Sequence, residues 1–364
     1  MALAGLYCNP LWPALKTSAF RLRAGPLARQ HIERFGLLPE HVRCVPAAAG
    51  GPKGLALLPF DRWLFGDWLK EVADQPLRVG ASIGAWRMTA AAQADPLAAL
   101  DRLQEAYIHQ TYPSGATPAQ VAEGVRVIAE AVAGDGTLDP AVPLRVLVAH
   151  ATHRLRGRND RLTFAGAALA NLRSRDRLGG YLRRLVFQSG PPTALDAVWS
   201  MCDAFGASPL ALNAANLRPA LTATGSIPIA CAPVRDIPGL PRGDYWDGGL
   251  IDYHLHLPYH TLGGITLYPH FADHIAPGWL DKHLPWRRAD GQWLQSVLLV
   301  SPSPALLRQL PNGKLPDRHD FYRYEGNDAR RFAVWQQAVG ECQRMVEQFS
   351  RWVEDPDPGQ LRRW

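Results

Sequence analysis

Leu77-Arg78-Val79-Gly80-Ala81-Ser82-Ile83-Gly84-Ala85-Trp86 sets the frame for the whole chain. A short apolar run, Leu77 to Ala81, ends in a GxSxG pentapeptide, and the breaker-free stretch 83–94 follows. The pattern predicts a strand, a tight turn and a helix. Glycines at 80 and 84 fit a turn so sharp that a Cβ at either flank would clash. Such a turn lifts the Ser82 hydroxyl above the sheet, near the positive end of the helix that follows.

Working outward, the same alternation recurs. Val42 to Ala49 reads as a buried strand running into Gly50-Gly51-Pro52-Lys53-Gly54. A helix follows, with Pro59 near its start and Leu58, Trp63, Phe65, Trp68 and Leu69 as its apolar residues. A helix around Ala28 to Phe35 precedes this unit, and Asp95-Pro96 starts another that runs through His109. Leu144 to Ala149, Leu182 to Phe187 and Ile265 to Tyr268 read as further strands, and Ala211 to Ala223 as a helix. Strands alternating with helices predict an α/β fold with a mostly parallel sheet covered on both faces. Phe332, Trp335, Val339, Cys342, Val346, Phe349 and Val353 step by three and four, giving one apolar stripe on an extra C-terminal helix expected to dock back on the domain. The expected division is an N-terminal extension over 1–41 packing on the core, a core over 42–270, and a C-terminal helical extension of the same domain over 271–364.

Bulk properties narrow the class. The chain has 364 residues, 47% apolar and 20% charged, enough to bury a large core. Five scattered cysteines without CxxC spacing argue against a disulfide framework or a structural zinc site. Met1 to Pro10 lacks the layout of a signal peptide, and no apolar run reaches the length of a membrane span. A cytoplasmic location with peripheral membrane contact is the expectation. The net charge of +6 is concentrated between Arg154 and Arg184, where nine arginines face two aspartates. Such a stretch is either an ordinary solvated surface or an attraction for anionic membrane; nucleic acid is not expected, because no recognition motif accompanies the arginines.

The three glycine segments carry the chemistry. Consecutive glycines at 50 and 51 allow backbone N–H groups to converge on an anion, as an oxyanion hole requires. Gly50, Gly51, Lys53 and Gly54 are the candidate positions, and Pro52 contributes no N–H. Neither a P-loop nor a dinucleotide-binding glycine pattern is present. Asp247-Gly248-Gly249 presents an aspartate on a turn; Asp-Gly alone is more often a hairpin turn. Burial would raise the aspartate's affinity for a proton and make it a usable base toward Ser82.

Together with Ser226-Ile227-Pro228 through Pro233, these segments make the chain resemble the patatin-like phospholipases. That family carries a glycine-rich oxyanion turn, a GxSxG elbow, an "IP…P" stretch and a DG[GA] motif, in this order. The resemblance spans roughly residues 42 to 270 and implies a three-layer α/β/α fold. It further implies Ser82 as nucleophile, Asp247 as its sole catalytic partner, Gly50, Gly51 and Lys53 in the oxyanion turn, and a lipid or other acyl-ester substrate. No cofactor or metal is implied. Ala49 stands where the family usually has the first glycine of a triplet, and Lys53 where arginine is commoner.

Other readings compete. A Ser-His-Asp triad could pair Ser82 with Asp203 or Asp236 and with His254 or His256. The His254-x-His256 pair could hold zinc, although no carboxylate stands at matching spacing. A catalytically silent scaffold that binds a partner is the third.

Overall fold

The computed structural model describes residues 18–155, 157 and 161–364. Its strands are β1 (Phe20–Ala24), β2 (Val42–Ala47), β3 (Leu77–Ala81), β4 (Leu144–Ala151), β5 (Leu182–Ser189), β6 (Ser208–Ala211), β7 (Tyr245–Asp247), β8 (Ile265–Pro269), β9 (Val297–Pro302) and β10 (Leu361–Arg362). The helices are α1 (Pro26–Phe35), α2 (Leu58–Trp63), α3 (Ile83–Ala91), α4 (Pro96–Ile108), α5 (Pro118–Ala133), α6 (Arg161–Arg173), α7 (Arg175–Leu178), α8 (Ala194–Trp199), α9 (Leu217–Gly225), α10 (Pro304–Gln309), α11 (His319–Arg323) and α12 (Asp328–Glu354).

All ten strands form one sheet, in the order β10-β1-β9-β8-β2-β3-β4-β5-β6, with β7 paired to β4. The run from β9 to β4 is parallel, whereas β1–β9, β4–β5 and β4–β7 are antiparallel. Central strands of such a sheet are covered on both faces and are therefore apolar throughout. β3 is covered in this way with all five residues buried, and β9 with all six; Arg78 and Ser301 are their buried polar exceptions. The architecture is thus mixed α/β, a largely parallel sheet flanked by helices. Strands from before residue 42 and from beyond residue 270 belong to the same sheet as those between.

Local chemistry sets the helix boundaries. Asp95 caps α4 by accepting the Ala98 N–H at 3.0 Å, and Pro96 occupies its first position. The helix expected from Pro59 to Leu69 starts as α2 and then widens at Leu64–Trp68, where the Leu69 N–H reaches back five residues to the Leu64 carbonyl at 2.7 Å. The helix expected from Ala211 starts only at Leu217. Asn213 Oδ1 accepts from the Ala215 and Asn216 N–H groups, and the Asn216 amide donates to the Ala211 carbonyl. These asparagines offer the backbone a turn in place of a helix.

α12, 27 residues long, packs its apolar stripe inward. Trp335, Cys342, Met345 and Phe349 are fully covered, and Phe349 meets Phe20 of β1 edge-on at 5.7 Å. Cys44, Cys202, Cys231 and Cys342 take part in no disulfide among the described residues. Met1 to Pro10, Cys8 included, and Arg156, Arg158 and Asp160 lie outside the described residues.

Candidate active site

Strand β4 is the ruler that brings two distant segments together. In its register Leu147 lies opposite Ala81 of β3, and Val148 lies opposite Asp247 of β7. The chain leaves β3 at Ser82 and β7 at Asp247, so both side chains emerge beside the same pair of β4 residues. The Ser82 side chain is a polar neighbour of the Asp247 carboxylate and opposes the rise in its proton affinity.

Ser82 sits at φ 57° and ψ −134°, a left-handed conformation that costs a non-glycine residue about 1–3 kcal/mol. The surroundings enforce it. A methyl group on Gly84 would come within 1.9 Å of the Ala47 carbonyl oxygen, and one on Gly80 within 2.5 Å of the Ala85 nitrogen. The Ser82 N–H is held by Thr224 Oγ1 at 2.9 Å, and that hydroxyl in turn donates to the Leu147 carbonyl at 2.6 Å. Beneath the turn, α3 is anchored by Arg87, which grips Asp61 through two bonds of 2.6 and 2.7 Å with both side chains fully buried. Trp86 Nε1 ties α3 to α9 by donating to the Leu221 carbonyl at 2.9 Å.

Asp247 opens a 3₁₀ turn, Gly248–Leu250, and accepts the Gly249 N–H at 2.7 Å. Its own N–H donates to the Ser226 carbonyl at 2.9 Å, linking it to the Ser226–Pro233 stretch. The glycines after it are demanded by contact: a methyl on Gly248 would lie 2.3 Å from the Leu147 carbonyl oxygen, and one on Gly249 2.5 Å from Ala49 Cβ. Burial pushes the Asp247 carboxyl up to about 7, against the opposing pull of the Ser82 hydroxyl and the Gly249 N–H. A carboxylate so placed can exchange a proton with an alcohol near neutral pH.

Gly50 and the 3₁₀ turn Gly51–Leu57 form the third side. Gly51 has φ +56°, and a methyl on Gly54 would fall 2.8 Å from Ile83 Cγ2, so the turn lies against the residue that follows Ser82. The Ala49 N–H is already spent on the Tyr253 carbonyl at 2.9 Å. Within a 3₁₀ turn, bonding back to the carbonyl three residues earlier begins at the third residue, here Lys53. That narrows the uncommitted donors of this segment to Gly50 and Gly51, and leaves Lys53 and Gly54 to shape the turn. The Ile83 N–H, at the start of α3, has no intrahelical acceptor and is a further candidate donor.

Tyr107, Tyr253 and Cys231 stand within Coulombic reach of Asp247, and Phe271 closes over Gly50. Lys53 lies 5.5 Å from the centre of the Phe271 ring, and Lys282 lies 4.5 Å from that of Trp279. Burial, then Arg318 and Lys53, bring the Lys282 ammonium down to about 8. Lys53, Lys282 and Arg318, from three separate segments, lie within Coulombic reach of one another. The site itself is nearly closed, with Ser82 only 7% and Asp247 5% exposed. Two surface hollows, of about 570 Å³ beside Asp101 and Ala131 and about 370 Å³ beside Trp68 and Asp74, lie elsewhere.

The side chains of the rival triad have other partners. Asp203 is bound to Arg184, and Asp236 pairs with Arg242 at the surface. His256 reaches the Asp290 carbonyl at 3.0 Å and lies against Trp293. His254 Nδ1 accepts the Ala276 N–H at 3.0 Å, and burial, then His270 and His274, hold the ring well below its ordinary value. Among the described residues, no group of three histidine, cysteine, aspartate or glutamate side chains is arranged to hold a metal ion.

Thr224, Tyr107, Tyr253, Phe271 and the Ile83 N–H are not among the residues expected from sequence. Thr224 has the one local signal, two positions before Ser226 in the stretch already singled out. No protein-family model matches the chain, and no curated protein matches it.

Proposed function

We propose that this protein is a serine acyl hydrolase of patatin-like type, cleaving carboxylic esters of lipids through a Ser82–Asp247 dyad. One observation carries the reading: a serine held in a strained elbow is the polar neighbour of a buried carboxylate whose proton affinity burial raises to about 7. Asp247 accepts the hydroxyl proton as Ser82 Oγ attacks the ester carbonyl. The N–H groups of Gly50, Gly51 and Ile83 receive the oxyanion in this reading, a role in which preorganised donors act most strongly. The tetrahedral intermediate collapses to an acyl-enzyme while the alcohol leaves with the proton from Asp247. Water, deprotonated by the same carboxylate, then releases the acid. Lys53, Lys282 and Arg318 favour an ester whose alcohol part carries an anionic group, as in phospholipase A or lysophospholipase substrates.

The test is labelling by a fluorophosphonate probe together with turnover of a water-soluble ester. Wild type and His256→Ala should be labelled and active; Ser82→Ala should be neither, and Asp247→Asn should lose turnover. Turnover that survives Asp247→Asn but not removal of His254 or His256 would replace the dyad by a triad. A wild-type protein that neither labels nor turns over would be a silent scaffold.

A further inference from the structure

Helix α6 presents apolar residues to water. Leu162, Leu169 and Leu172 are 86, 68 and 48% exposed, and Ala165 between them is exposed as well. Positions 162, 165, 169 and 172 advance by three, four and three, which places them on one side of the helix. The opposite side is also apolar: Ala167 is buried, and Phe164 meets Trp246 edge-on at 6.1 Å, one residue before Asp247. α6 thus has an inner face on the segment that delivers the catalytic carboxylate and an outer face with no protein over it among the described residues. At its C-terminal end, Arg287 donates to the Asn171 carbonyl at 2.8 Å. The residue before Arg287 in the chain, Trp286, is itself 65% exposed.

The charges around this face have one sign in excess. Arg161 and Arg173 end the helix and are exposed, as are Arg177, Arg183 and Arg288, against the exposed Asp176 and Asp290. Arg175 and Arg184 of the same stretch are not available: Arg184 is buried between Asp203 and Asp252, and Arg175 is bound to Asp281 and the Ile251 carbonyl. Only part of the basic stretch therefore faces outward, and of that part Arg161 and Arg173 flank the leucines at the two ends of the helix.

We propose that the outer face of α6, with Trp286, docks on the surface of an anionic lipid bilayer. Leucines on one side of a helix with arginines at its ends, and an exposed tryptophan next to Arg287, which bonds the helix, match an element lying in the plane of the headgroups. A second copy of the chain would bring the same arginines face to face, so charge selects the membrane over self-association. Among the described residues no helix is long and apolar enough to cross a bilayer, so the contact is with its surface. That docking serves catalysis rests on the acyl-hydrolase reading; the docking itself does not.

The experiment uses full-length Ser82→Ala protein, which cannot consume the vesicles, and co-sedimentation with phosphatidylcholine vesicles with or without about one-third phosphatidylserine. Binding is expected with phosphatidylserine and weakly or not at all without it. The triple variant Leu162→Ser, Leu169→Ser, Leu172→Ser should reduce binding about tenfold or more while keeping the parent's circular dichroism and melting temperature, because its leucines lie in water. Absence of binding to anionic vesicles, or equal binding by the triple variant, overturns the proposal. A dimer seen by light scattering and lost in the triple variant, without vesicle binding, assigns the face to a second copy and also overturns it. Hydrolysis of a water-soluble ester by wild type, measured in parallel, separates the two failures: activity without vesicle binding removes only the docking, and binding without activity removes only the hydrolase.

Discussion

Helices α3 and α6 are both rich in apolar residues and have opposite surroundings. Every residue of α3 is buried, including Arg87, whereas α6 buries only Ala167 and Asn171. α3 lies against the sheet and is covered by α4, α5 and α9; α6 has α7 and the Trp279–His283 turn on its inner side. A helix that is apolar all round is either enclosed by protein or has another apolar phase to meet. The first case gives the rigidity that can hold Ser82 in a strained conformation. The second gives a surface with no conformational task, free to change without disturbing the fold.

That contrast is sharpest in turnover. Ser82→Ala and Asp247→Asn should each lower ester hydrolysis by about a thousandfold or more, measured as kcat/KM on a soluble ester. An Asp247→Asn variant with near-normal turnover would detach the elbow above α3 from the chemistry assigned to it. Next in size is the anchor. Arg87→Met leaves the Asp61 carboxylate buried without its partner and should cost about 3–5 kcal/mol in urea unfolding. The double variant Asp61→Leu, Arg87→Met should recover much of that loss. If Arg87→Met alone is neutral, α3 is not held as the geometry states.

The pH behaviour of Asp247 gives a third test. Its folded value, about 7, lies above the ordinary 3.8, so folding disfavours the ionised form. The corresponding stability is complete below about pH 4 and is lost as pH rises to about 7, a change on the order of 4 kcal/mol by linkage. Asp247→Asn removes this dependence. Its melting temperature relative to wild type should rise between pH 4 and 7 and level off above. Wild-type kcat/KM should climb over the same range and reach half its plateau near pH 7. A flat difference in melting temperature would mean that the carboxylate is not desolvated. The smallest effect belongs to α6: Leu169→Ser should move the unfolding free energy by less than about 0.5 kcal/mol, whereas Met88→Ala in α3 should cost about 2–5 kcal/mol.

What the sequence displayed was whatever is decided locally. The elbow glycines, β3 and α3 are legible because the clash that forces Gly84 involves Ala47, itself on the strand already read into the first glycine turn. The α4 start is legible because Asp95-Pro96 is a cap in its own right. The Asn213–Asn216 turn was missed because alanine and leucine on both sides outweighed it, although asparagine carries the means to interrupt a helix. α5 was missed despite a capping box between Thr117 and Gln120. Other features are decided across the chain and leave no local mark. Thr224 matters only because β4 places Leu147 beneath it. A count of charges between residues 154 and 184 cannot tell that Arg184 turns inward to two aspartates while Arg173 stays in water. The pairing of Ser82 with Asp247 came from motif order and resemblance; the register of β4 supplies a physical route by which the two meet.

The position of β1 carries a consequence for synthesis. Residues 20–24 lie between β9 and β10, and the Arg29 guanidinium donates to the Leu361 carbonyl at 2.7 Å. A chain emerging from the ribosome at about 5–20 residues per second presents this strand tens of seconds before residues 297–302 exist to receive it. Throughout that interval an amphipathic N-terminal segment is exposed without its neighbours. The sheet closes around β1 only once residues 297–302 and 361–362 have emerged.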